Sequence, residues 1–440
     1  MIKPFRSIKR FLTLRATVLT LIGLVTASIL TATLVPQTQI PGTETTSWIV
    51  SVPYLNTVID VLGLNRVVGT VWFAILVVAF LLSLLFSLSD QFSAALNRLR
   101  RQPPERPTPD AVLLPVRDDL DARLKRQGFS CVARGNSARR FVKGRWGYFG
   151  NPLLHAGMAL VILSSLVYVM TEHRLLLRLI EGEPYWIEEA ITAEARGALS
   201  PSLPLPKAIM AEKVTPTFWE NDQNSGLSAR IIFPKPGEEP DRIVPGINDA
   251  AWYRGMRLSL RSALGVAFAL DVTEPGGRTA PLRLMLPLQP NRNRPGYGTL
   301  KDVLGKYTIK AKYLGDETKQ SVQLVHPLLT VRLLAGERLI GEGVLRPGET
   351  VMIGATALRL NRAGWWIDLV LEGSYGMTGI FLGFGLLIAG VIVVYVVVPR
   401  EITVWDAPDG MFVSWRAFRL EKLYREEWER TLTVLGKGDA

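Results

Sequence analysis

Histidine is the residue type whose position in this sequence most strongly suggests chemistry. The chain has three histidines, and His155 lies near the start of a long apolar run. A neutral imidazole has a nitrogen lone pair that can bind a metal ion or the iron of a haem. Because an ionisable side chain in an apolar helix is costly to bury without a partner, it indicates a functional site. The alternative is a histidine that only hydrogen-bonds across a helix interface, and the residues alone leave both interpretations open.

The other two histidines do not form a ligand pair with His155. His173 lies eighteen residues further on, which is about 27 Å along a continuous helix, so the two imidazoles cannot bind one iron. His326, in the stretch QLVHPLL, is predicted to be an ordinary surface or strand-end residue. If His155 binds a haem, we therefore expect the opposing axial ligand to come from another polypeptide.

A pair of tryptophans in the stretch AGWWIDL is the second feature that could belong to a site. With the alternation of a β-strand, Trp365, Ile367 and Leu369 share one face, while Trp366 and Asp368 share the other. This pattern predicts a strand that anchors a domain near a membrane surface.

Several catalytic motifs are absent from the sequence. It has no GxxxxGK[ST] phosphate loop, no HExxH, no GxSxG, no CxxC and no CxxCH. An autonomous hydrolase and a self-contained c-type cytochrome are therefore disfavoured. The net charge is +12, but the basic residues lie mostly beside the apolar runs, where they would meet lipid headgroups rather than nucleic acid.

Four apolar runs must position these residues. Each is long enough to cross the hydrocarbon core as a helix, and each lacks Asp, Glu, Lys and Arg, which also argues against an ion pump. The predicted transmembrane helices are 16–35, 67–89, 152–170 and 376–398.

Basic residues set the predicted orientation through the positive-inside rule. Five Lys and Arg residues lie before the first span, whereas the loop between the first two spans contains only Arg66. The N- and C-termini are therefore expected on the cytoplasmic side. The segments between the spans are a basic N-terminus (1–15), an extracytoplasmic loop (36–66), a cytoplasmic linker with a small α+β unit (90–151), an extracytoplasmic β-rich domain (171–375) and a cytoplasmic tail (399–440).

Three of these segments carry local structural signals. Trp48 and Tyr54 suit headgroup-level anchors and predict a short interfacial helix in the first loop. The stretch KYTIKAKYL alternates apolar and basic residues, as a half-buried strand does, and indicates a mainly antiparallel β domain of sandwich type. Cys131 is the single cysteine, so no internal disulfide forms, and we expect it in a packed position.

Small residues recur at helical spacing in the fourth span. Gly379 and Gly383, and then Gly385 and Ala389, form small-xxx-small pairs. Such pairs allow close helix packing, against either this chain or a partner. The predicted fold class is a four-helix membrane protein with a large extracytoplasmic, mainly antiparallel β domain and a small cytoplasmic α+β unit.

Three stretches of the sequence resemble the ResB/CcsB family of System II cytochrome c biogenesis. They are LGLNRVVGTVWF (62–73), GRWGYFGNPLLHAGMALVI (144–162) and VPREITVWD (398–406). The order of spans and domains is also similar to that family along the whole chain.

The resemblance implies a non-autonomous subunit of a cytochrome c synthase in a cell inner or plasma membrane, or in a thylakoid. The implied partners are a multi-span ResC/CcsA protein, apocytochrome c and a thiol-disulfide reductant of the apocytochrome. The implied cofactor is haem b, held transiently, with His155 as an axial ligand to its iron together with a histidine of the multi-span partner.

Two departures from the family limit what can be carried over. The chain lacks the WGxxWxxD motif of the partner, and the inner end of its second span reads LLFSLSDQF, without the cysteine of many relatives. Two other classes of function remain open on the residues: an extracytoplasmic sensor or adaptor, and an accessory subunit of a transporter. A catalytic residue is not assigned.

Overall fold

Two compact units make up the chain, and each is described by itself. The helical unit combines residues 1–168 with 375–440, and the β domain comprises residues 169–374. The computed structural model describes residues 2–35, 37, 53–115, 119–235 and 237–436.

Helices and strands alternate in blocks along these residues. The helices are α1 (Ile2–Leu12), α2 (Arg15–Leu34), α3 (Pro53–Leu62), α4 (Val71–Arg100), α5 (Leu120–Arg126), α6 (Gly150–Thr171), α7 (Ile187–Ala190), α8 (Met377–Val396) and α9 (Glu421–Gly436). The strands are β1 (Val112–Leu114), β2 (Ser130–Arg134), β3 (Ala138–Lys143), β4 (His173–Ile180), β5 (Pro184–Trp186), β6 (Ile191–Arg196), β7 (Ala208–Phe218), β8 (Asn224–Phe233), β9 (Asp241–Ile243), β10 (Ala251–Tyr253), β11 (Met256–Thr273), β12 (Thr279–Pro287), β13 (Gly296–Val303), β14 (Tyr307–Leu314), β15 (Leu328–Ala335), β16 (Arg338–Leu345), β17 (Thr350–Ile353), β18 (Thr356–Gly373), β19 (Arg400–Ala407) and β20 (Gly410–Ala417).

Four helices in the described part of the chain are long and apolar enough to cross a membrane, as the sequence predicts. They span Arg15–Leu34, Val71–Arg100, Arg145–Thr171 and Met377–Val396, the third including a short 3-10 helix before α6. The second of them continues beyond its apolar part, so that its last turns carry charged residues.

The segment between α2 and α4 contains the short helix α3. Tyr54 is exposed on it, and the indole nitrogen of Trp72, at the start of α4, donates to the carbonyl oxygen of Leu62 at 3.0 Å. The structure therefore contains the short helix predicted in this loop. Trp48, the other predicted anchor, lies outside the described residues.

Helices α6 and α8 pack closely through glycine. A Cβ atom on Gly157 would lie 2.8 Å from the backbone nitrogen of Leu387 and 2.9 Å from the carbonyl oxygen of Gly383. A Cβ on Gly383 would in turn lie 2.9 Å from the backbone nitrogen of Val161. Gly385, by contrast, faces open space among the described residues. The first small-residue pair of the fourth span thus packs on this chain's own α6.

A five-stranded sheet, in the order β1-β20-β19-β3-β2, completes the helical unit. The sequence predicts a small α+β unit within 90–151 and a separate tail at 399–440, whereas the structure inserts β19 between β3 and β20. A two-stranded hairpin alone is only marginally stable, so β2 and β3 need the C-terminal strands. The shared core contains Leu120, Leu124, Phe129, Phe141, Ile402, Val404, Met411, Val413 and Leu435.

Cys131 lies in β2 and is exposed, so the predicted packed position was wrong. β2 is the edge strand of the five-stranded sheet, and its register shifts between Cys131 and Ala133. The prediction rested on residue type alone, which does not indicate that a strand lies at the edge of its sheet.

The β domain consists of three sheets around one core. A seven-stranded sheet contains β4, β6, β10, β11, β12, β17 and β18, and two four-stranded sheets contain β13 to β16 and β5, β7, β8 and β9. Neighbouring strands pair antiparallel, which confirms the mainly antiparallel prediction. A simple sandwich has two sheets. The domain has three, so it is not the simple sandwich that the sequence predicts. Its two longest strands, β11 and β18, pair with two register shifts, and bulges of this kind bend a sheet.

The stretch KYTIKAKYL forms β14 with the predicted alternation. Ile309, Ala311 and Tyr313 are buried, while Lys310 and Lys312 are exposed. The apolar face packs into the domain core, which confirms the half-buried strand.

A buried carboxylate ties three parts of the β domain together. Glu183 is 8% exposed, and its carboxylate accepts hydrogen bonds from Arg283 at 2.5 Å and Tyr185 at 3.0 Å and forms an ion pair with Arg362 at 2.8 Å. Burial would raise the pKa of Glu183, but the hydrogen bonds from Arg362, Arg283 and Tyr185 outweigh it and hold the pKa below its ordinary value.

The stability contributed by Glu183 is expected to depend on pH. Because its pKa is lower in the folded than in the unfolded chain, the contribution is complete above about pH 4.3 and is lost as the pH falls through the folded value. Glu183→Gln cannot ionise, so the gap between the thermal midpoints of wild type and E183Q should narrow as the pH is lowered from about 6 to about 3. The exposed Glu188 provides the control: a pH-independent gap for E183Q, or the same narrowing for Glu188→Gln, would contradict the assignment.

Candidate functional site

His155 lies in the second turn of α6 and is half buried. Its Nδ1 is 3.0 Å from the backbone carbonyl oxygen of Asn151. A carbonyl oxygen only accepts hydrogen bonds, so the proton of the neutral imidazole lies on Nδ1 and Nε2 keeps its lone pair. Within the described residues, Nε2 has no hydrogen-bond partner. This is the tautomer, with its orienting second hydrogen bond, that a histidine ligand of iron uses.

Helix α6 presents three faces with different surroundings. Leu154 and Gly157 pack on α8, and Pro152 and Ala156 line an apolar cleft. At about 100° per residue, His155 falls on the third face, between these two and away from α8. The imidazole is therefore directed away from the α6–α8 contact, and its hydrogen bond lies within α6 itself.

The apolar cleft lies beside α4 and α6 and has a volume of about 1010 Å³. Two aromatic contacts shape it, with ring centroids 5.8 Å apart for Phe92 and Phe149 and 6.0 Å apart for Trp146 and Phe149. Its wall includes Ala156, the residue after His155, although His155 itself does not line it. Such a cleft can take up a large apolar group next to the histidine.

The described residues offer no multi-ligand metal site. They contain no group of three or more His, Cys, Asp or Glu side chains that could hold a metal ion. In the described part of the chain, His155 is the only histidine within the four apolar helices. A haem bound at His155 would need its second axial ligand from another polypeptide, and this stays a prediction.

A buried ion pair joins β3, which precedes α6, to β19, which follows α8. Arg140 is 3% exposed, and its Nη2 lies 2.8 Å from Oε1 of Glu401. The hydroxyl of Tyr148 also donates to Glu401. Arg140 donates in addition to the carbonyl oxygens of Leu99 and Arg101, at 3.4 and 3.1 Å, and so satisfies acceptors at the end of α4.

The charge on Glu401 is stabilised by this arrangement. Burial would raise the pKa of Glu401, but the hydrogen bonds from Arg140 and Tyr148 and the charge of Arg140 keep the pKa below its ordinary value. Close by, a Cβ atom on Gly147 would overlap the carbonyl oxygen of Val397. The ion pair and the glycine contact hold the start of α6 against the end of α8, and thereby position His155.

Sequence reasoning missed the pair of Arg140 and Glu401. Glu401 lies in the stretch VPREITVWD and Tyr148 in the stretch GRWGYFGN, both of which carried the resemblance. The sequence does show a basic residue in β3, Arg140, and an acidic residue in β19, Glu401. Nothing in it indicates that these two strands are neighbours.

The tryptophan pair belongs to the packing of the β domain. Trp365 is buried, which confirms the strand face, and the indole nitrogen of Trp366 donates to the carbonyl oxygen of Leu286 at 2.9 Å. The guanidinium of Arg178 lies 4.5 Å from the centre of the Trp366 ring and pairs with Asp368 at 2.8 Å. Side chains on both faces of β18 thus contact other residues of the β domain. The location of the strand near a membrane surface stays a prediction.

Each of the other two histidines lies near a carboxylate, but neither belongs to a group of three or more candidate metal ligands within the described residues. His173 is buried at the start of β4, with Nε2 2.8 Å from Glu194 and Nδ1 3.1 Å from the carbonyl oxygen of Pro201. The His326 side chain is 60% exposed and lies 3.6 Å from Asp316, which confirms its surface position.

Comparison with known proteins adds one match. No curated protein matches the chain. A model of the ResB-like family matches residues 14–263, which is more than half of the chain and includes His155 and three of the four apolar helices. The match ends within β11, so the rest of the β domain and α8 lie beyond it. The chain belongs to the ResB-like family, which is linked to cytochrome c biogenesis.

Proposed function

We propose that this chain is the membrane subunit of a System II cytochrome c synthase that helps to carry haem b across the membrane. The observation that carries the proposal is the Nδ1–H of His155 directed at a helix carbonyl, which leaves Nε2 free to bind iron. When bound, the haem would be the group that is attached to apocytochrome c. His155 would supply one axial nitrogen, and a histidine of a ResC/CcsA-type partner would supply the other.

The proposed orientation has both termini in the cytoplasm and the β domain outside. It is supported by the basic residues before the first span and by those that flank the five-stranded sheet. In this orientation His155 lies toward the cytoplasmic end of its helix, where haem would enter. The membrane is an inner or plasma membrane, or a thylakoid.

The β domain is proposed to present apocytochrome c to the partner. The chain has one cysteine and no CxxC motif, so reduction of the apocytochrome cysteines falls to a separate thiol-disulfide reductant. Attachment chemistry likewise falls to the complex and not to this chain alone, since the partner's WGxxWxxD motif is absent here.

The visible absorption spectrum of the chain purified with its multi-span partner tests the proposal. We expect His155→Ala to weaken the Soret band or convert it to a high-spin form, and added imidazole to restore the wild-type spectrum by replacing the missing ligand. His326→Ala, at an exposed histidine of the β domain, should leave the spectrum unchanged.

Other outcomes would contradict the proposal in distinct ways. Equal haem content and identical spectra for wild type and H155A would show that both axial ligands come from the partner. No haem in any preparation of the complex would favour the sensor, adaptor or transporter-subunit alternatives.

A further inference from the structure

A second cavity in the helical unit is lined by arginine. It has a volume of about 190 Å³, and Arg98, Arg101, Arg140, Glu401, Arg416 and Phe418 line it. We call it the arginine cavity. A water molecule occupies about 30 Å³ of liquid volume, so a tetrahedral phosphate group fits in this space. The cavity contains four guanidinium groups and one carboxylate.

The single carboxylate does not balance these charges. Glu401 is committed to Arg140 and Tyr148. Arg416 lies directly opposite Glu401 in the pairing of β19 with β20, yet no carboxylate of the described residues is within ion-pair distance of it. The same holds for Arg98 and Arg101 within the described part of the chain. Four guanidinium groups therefore share the one negative charge of Glu401, whose pKa is also lowered by the charge of Arg416, and an anion bound in the cavity would reduce the remaining repulsion.

Two of the arginines are already oriented. The guanidinium carbon of Arg98 lies 4.5 Å from the centre of the Phe418 ring, a cation–π contact that restrains the position of the side chain. Arg140 is fixed by its bonds to Glu401 and to the carbonyl oxygens at the end of α4. Groups held in place before binding lose less conformational entropy when an anion arrives.

The depth of the cavity suits a lipid headgroup. Phe92 of α4 packs on Phe149, which also contacts Trp146, and tryptophan is enriched at the membrane–water interface. Arg98 follows Phe92 by six residues, about 9 Å along the helix. Headgroup layers extend roughly 5 to 8 Å beyond each side of the hydrocarbon core. The backbone of Arg98 lies at the outer edge of such a layer, and its long side chain can reach back to the lipid phosphates.

We propose that the arginine cavity is a binding site for the phosphate of an anionic phospholipid. The guanidinium edges of Arg98, Arg101 and Arg416 donate to the phosphate oxygens, and the acyl chains remain in the bilayer. This site is separate from His155, and its occupant stabilises the junction at which α4, β3 and β19 meet.

Native mass spectrometry of the full-length chain in detergent tests the site. Phosphatidylglycerol and phosphatidylcholine are titrated against wild type, against R98Q/R101Q/R416Q and against R106Q/R126Q/R425Q. The second triple variant removes the same charge from exposed arginines outside the cavity. We expect phosphatidylglycerol binding to weaken by about tenfold or more only in the cavity variant, because each charge-assisted hydrogen bond contributes about 1.5 to 3 kcal/mol. Equal weakening in both variants would overturn the proposal.

A charge-conserving variant separates a built site from general attraction. R98K/R101K/R416K keeps the net charge but loses the planar fork that binds two phosphate oxygens at once. We expect it to bind phosphatidylglycerol more weakly than wild type, and wild-type affinity would show that only charge matters. If the glutamine triple variant does not fold, R416Q alone provides the measurement, since Arg416 is exposed and unpaired within the described residues.

Inorganic phosphate distinguishes the source of the anion. At equal concentration it should displace little phosphatidylglycerol, because it has no acyl chains in the bilayer or micelle. Displacement equal to that by added phosphatidylglycerol would identify a soluble phosphate as the occupant and overturn the assignment to lipid.

Discussion

Replacing Glu401 with leucine is expected to lower the local free energy of unfolding of the five-stranded sheet by about 3 kcal/mol. The change leaves the guanidinium of Arg140, which is 3% exposed, without its counter-charge. We expect the lower end of the range for a broken buried pair, because Glu401 is 26% exposed and Arg140 keeps two carbonyl acceptors at the end of α4.

Amide hydrogen exchange in β3 and β19, followed by mass spectrometry of the full-length chain, measures this effect. A loss of about 3 kcal/mol corresponds to exchange roughly a hundredfold faster from the opened state. Asp406→Leu is the matched control, because Asp406 also lies in β19 but is 57% exposed in its pair with Arg139. A surface pair of this kind contributes at most about 1 kcal/mol.

A double variant separates the lost pair from the lost side chain. In R140M/E401L both charges are absent, and exchange should return toward the wild-type rate, since a buried pair can often be replaced by apolar residues at little cost. Equal exchange rates for E401L and D406L would show that the pair of Arg140 and Glu401 is not buried as described.

The sequence predicted those helices and strands whose pattern is visible in consecutive residues. The four apolar runs and the alternation in KYTIKAKYL each describe a single helix or strand in contact with one environment, and both predictions are confirmed. His155 was found in the same way, from one ionisable residue in one apolar run, and its role as a ligand stays a proposal. The bond from Nδ1 to Asn151, which selects the tautomer, was not visible in the sequence.

Contacts between distant residues could not be predicted in this way. Arg140 and Glu401 are 261 positions apart, and their pairing depends on β19 returning to β3 after α8 and the whole β domain. The division of the β domain into three sheets likewise depends on which distant strands pair. The sequence of each strand indicates which of its faces is apolar. It does not indicate which of several other strands will cover that face.

The small residues of the fourth span illustrate the same limit within one helix. The spacing indicates that Gly379, Gly383 and Gly385 allow close approach, without indicating of what. In the structure Gly379 and Gly383 face α6, near Ser164 and Val161, whereas Gly385 faces open space among the described residues. Two of these glycines therefore contact α6 of this chain, whereas a Cβ atom on Gly385 would contact none of the described residues outside its own helix.

Isoleucine is therefore expected to have very different effects on stability at a glycine in the α6–α8 contact and at Gly385. Gly157→Ile is expected to destabilise the packing of α6 on α8 by about 1 to 3 kcal/mol. Its Cβ would lie 2.8 Å from the backbone nitrogen of Leu387 and 2.9 Å from the carbonyl oxygen of Gly383, so the helices must separate. Gly385→Ile places the same side chain into open space, where we expect a change within about 0.5 kcal/mol.

The thermal midpoint of the full-length chain in one detergent measures both variants. We expect a lower midpoint for G157I and an unchanged one for G385I, with Gly157→Ala between wild type and G157I because it adds only the Cβ. Since Gly157 is two residues from His155, separation of the helices should also alter the Soret band of the complex in G157I but not in G385I. Equal midpoints for the two isoleucine variants would contradict the close contact of α6 with α8. A lowered midpoint with an unchanged spectrum would instead show that His155 is positioned by the ion pair of Arg140 and Glu401 at the start of its helix, independently of that contact.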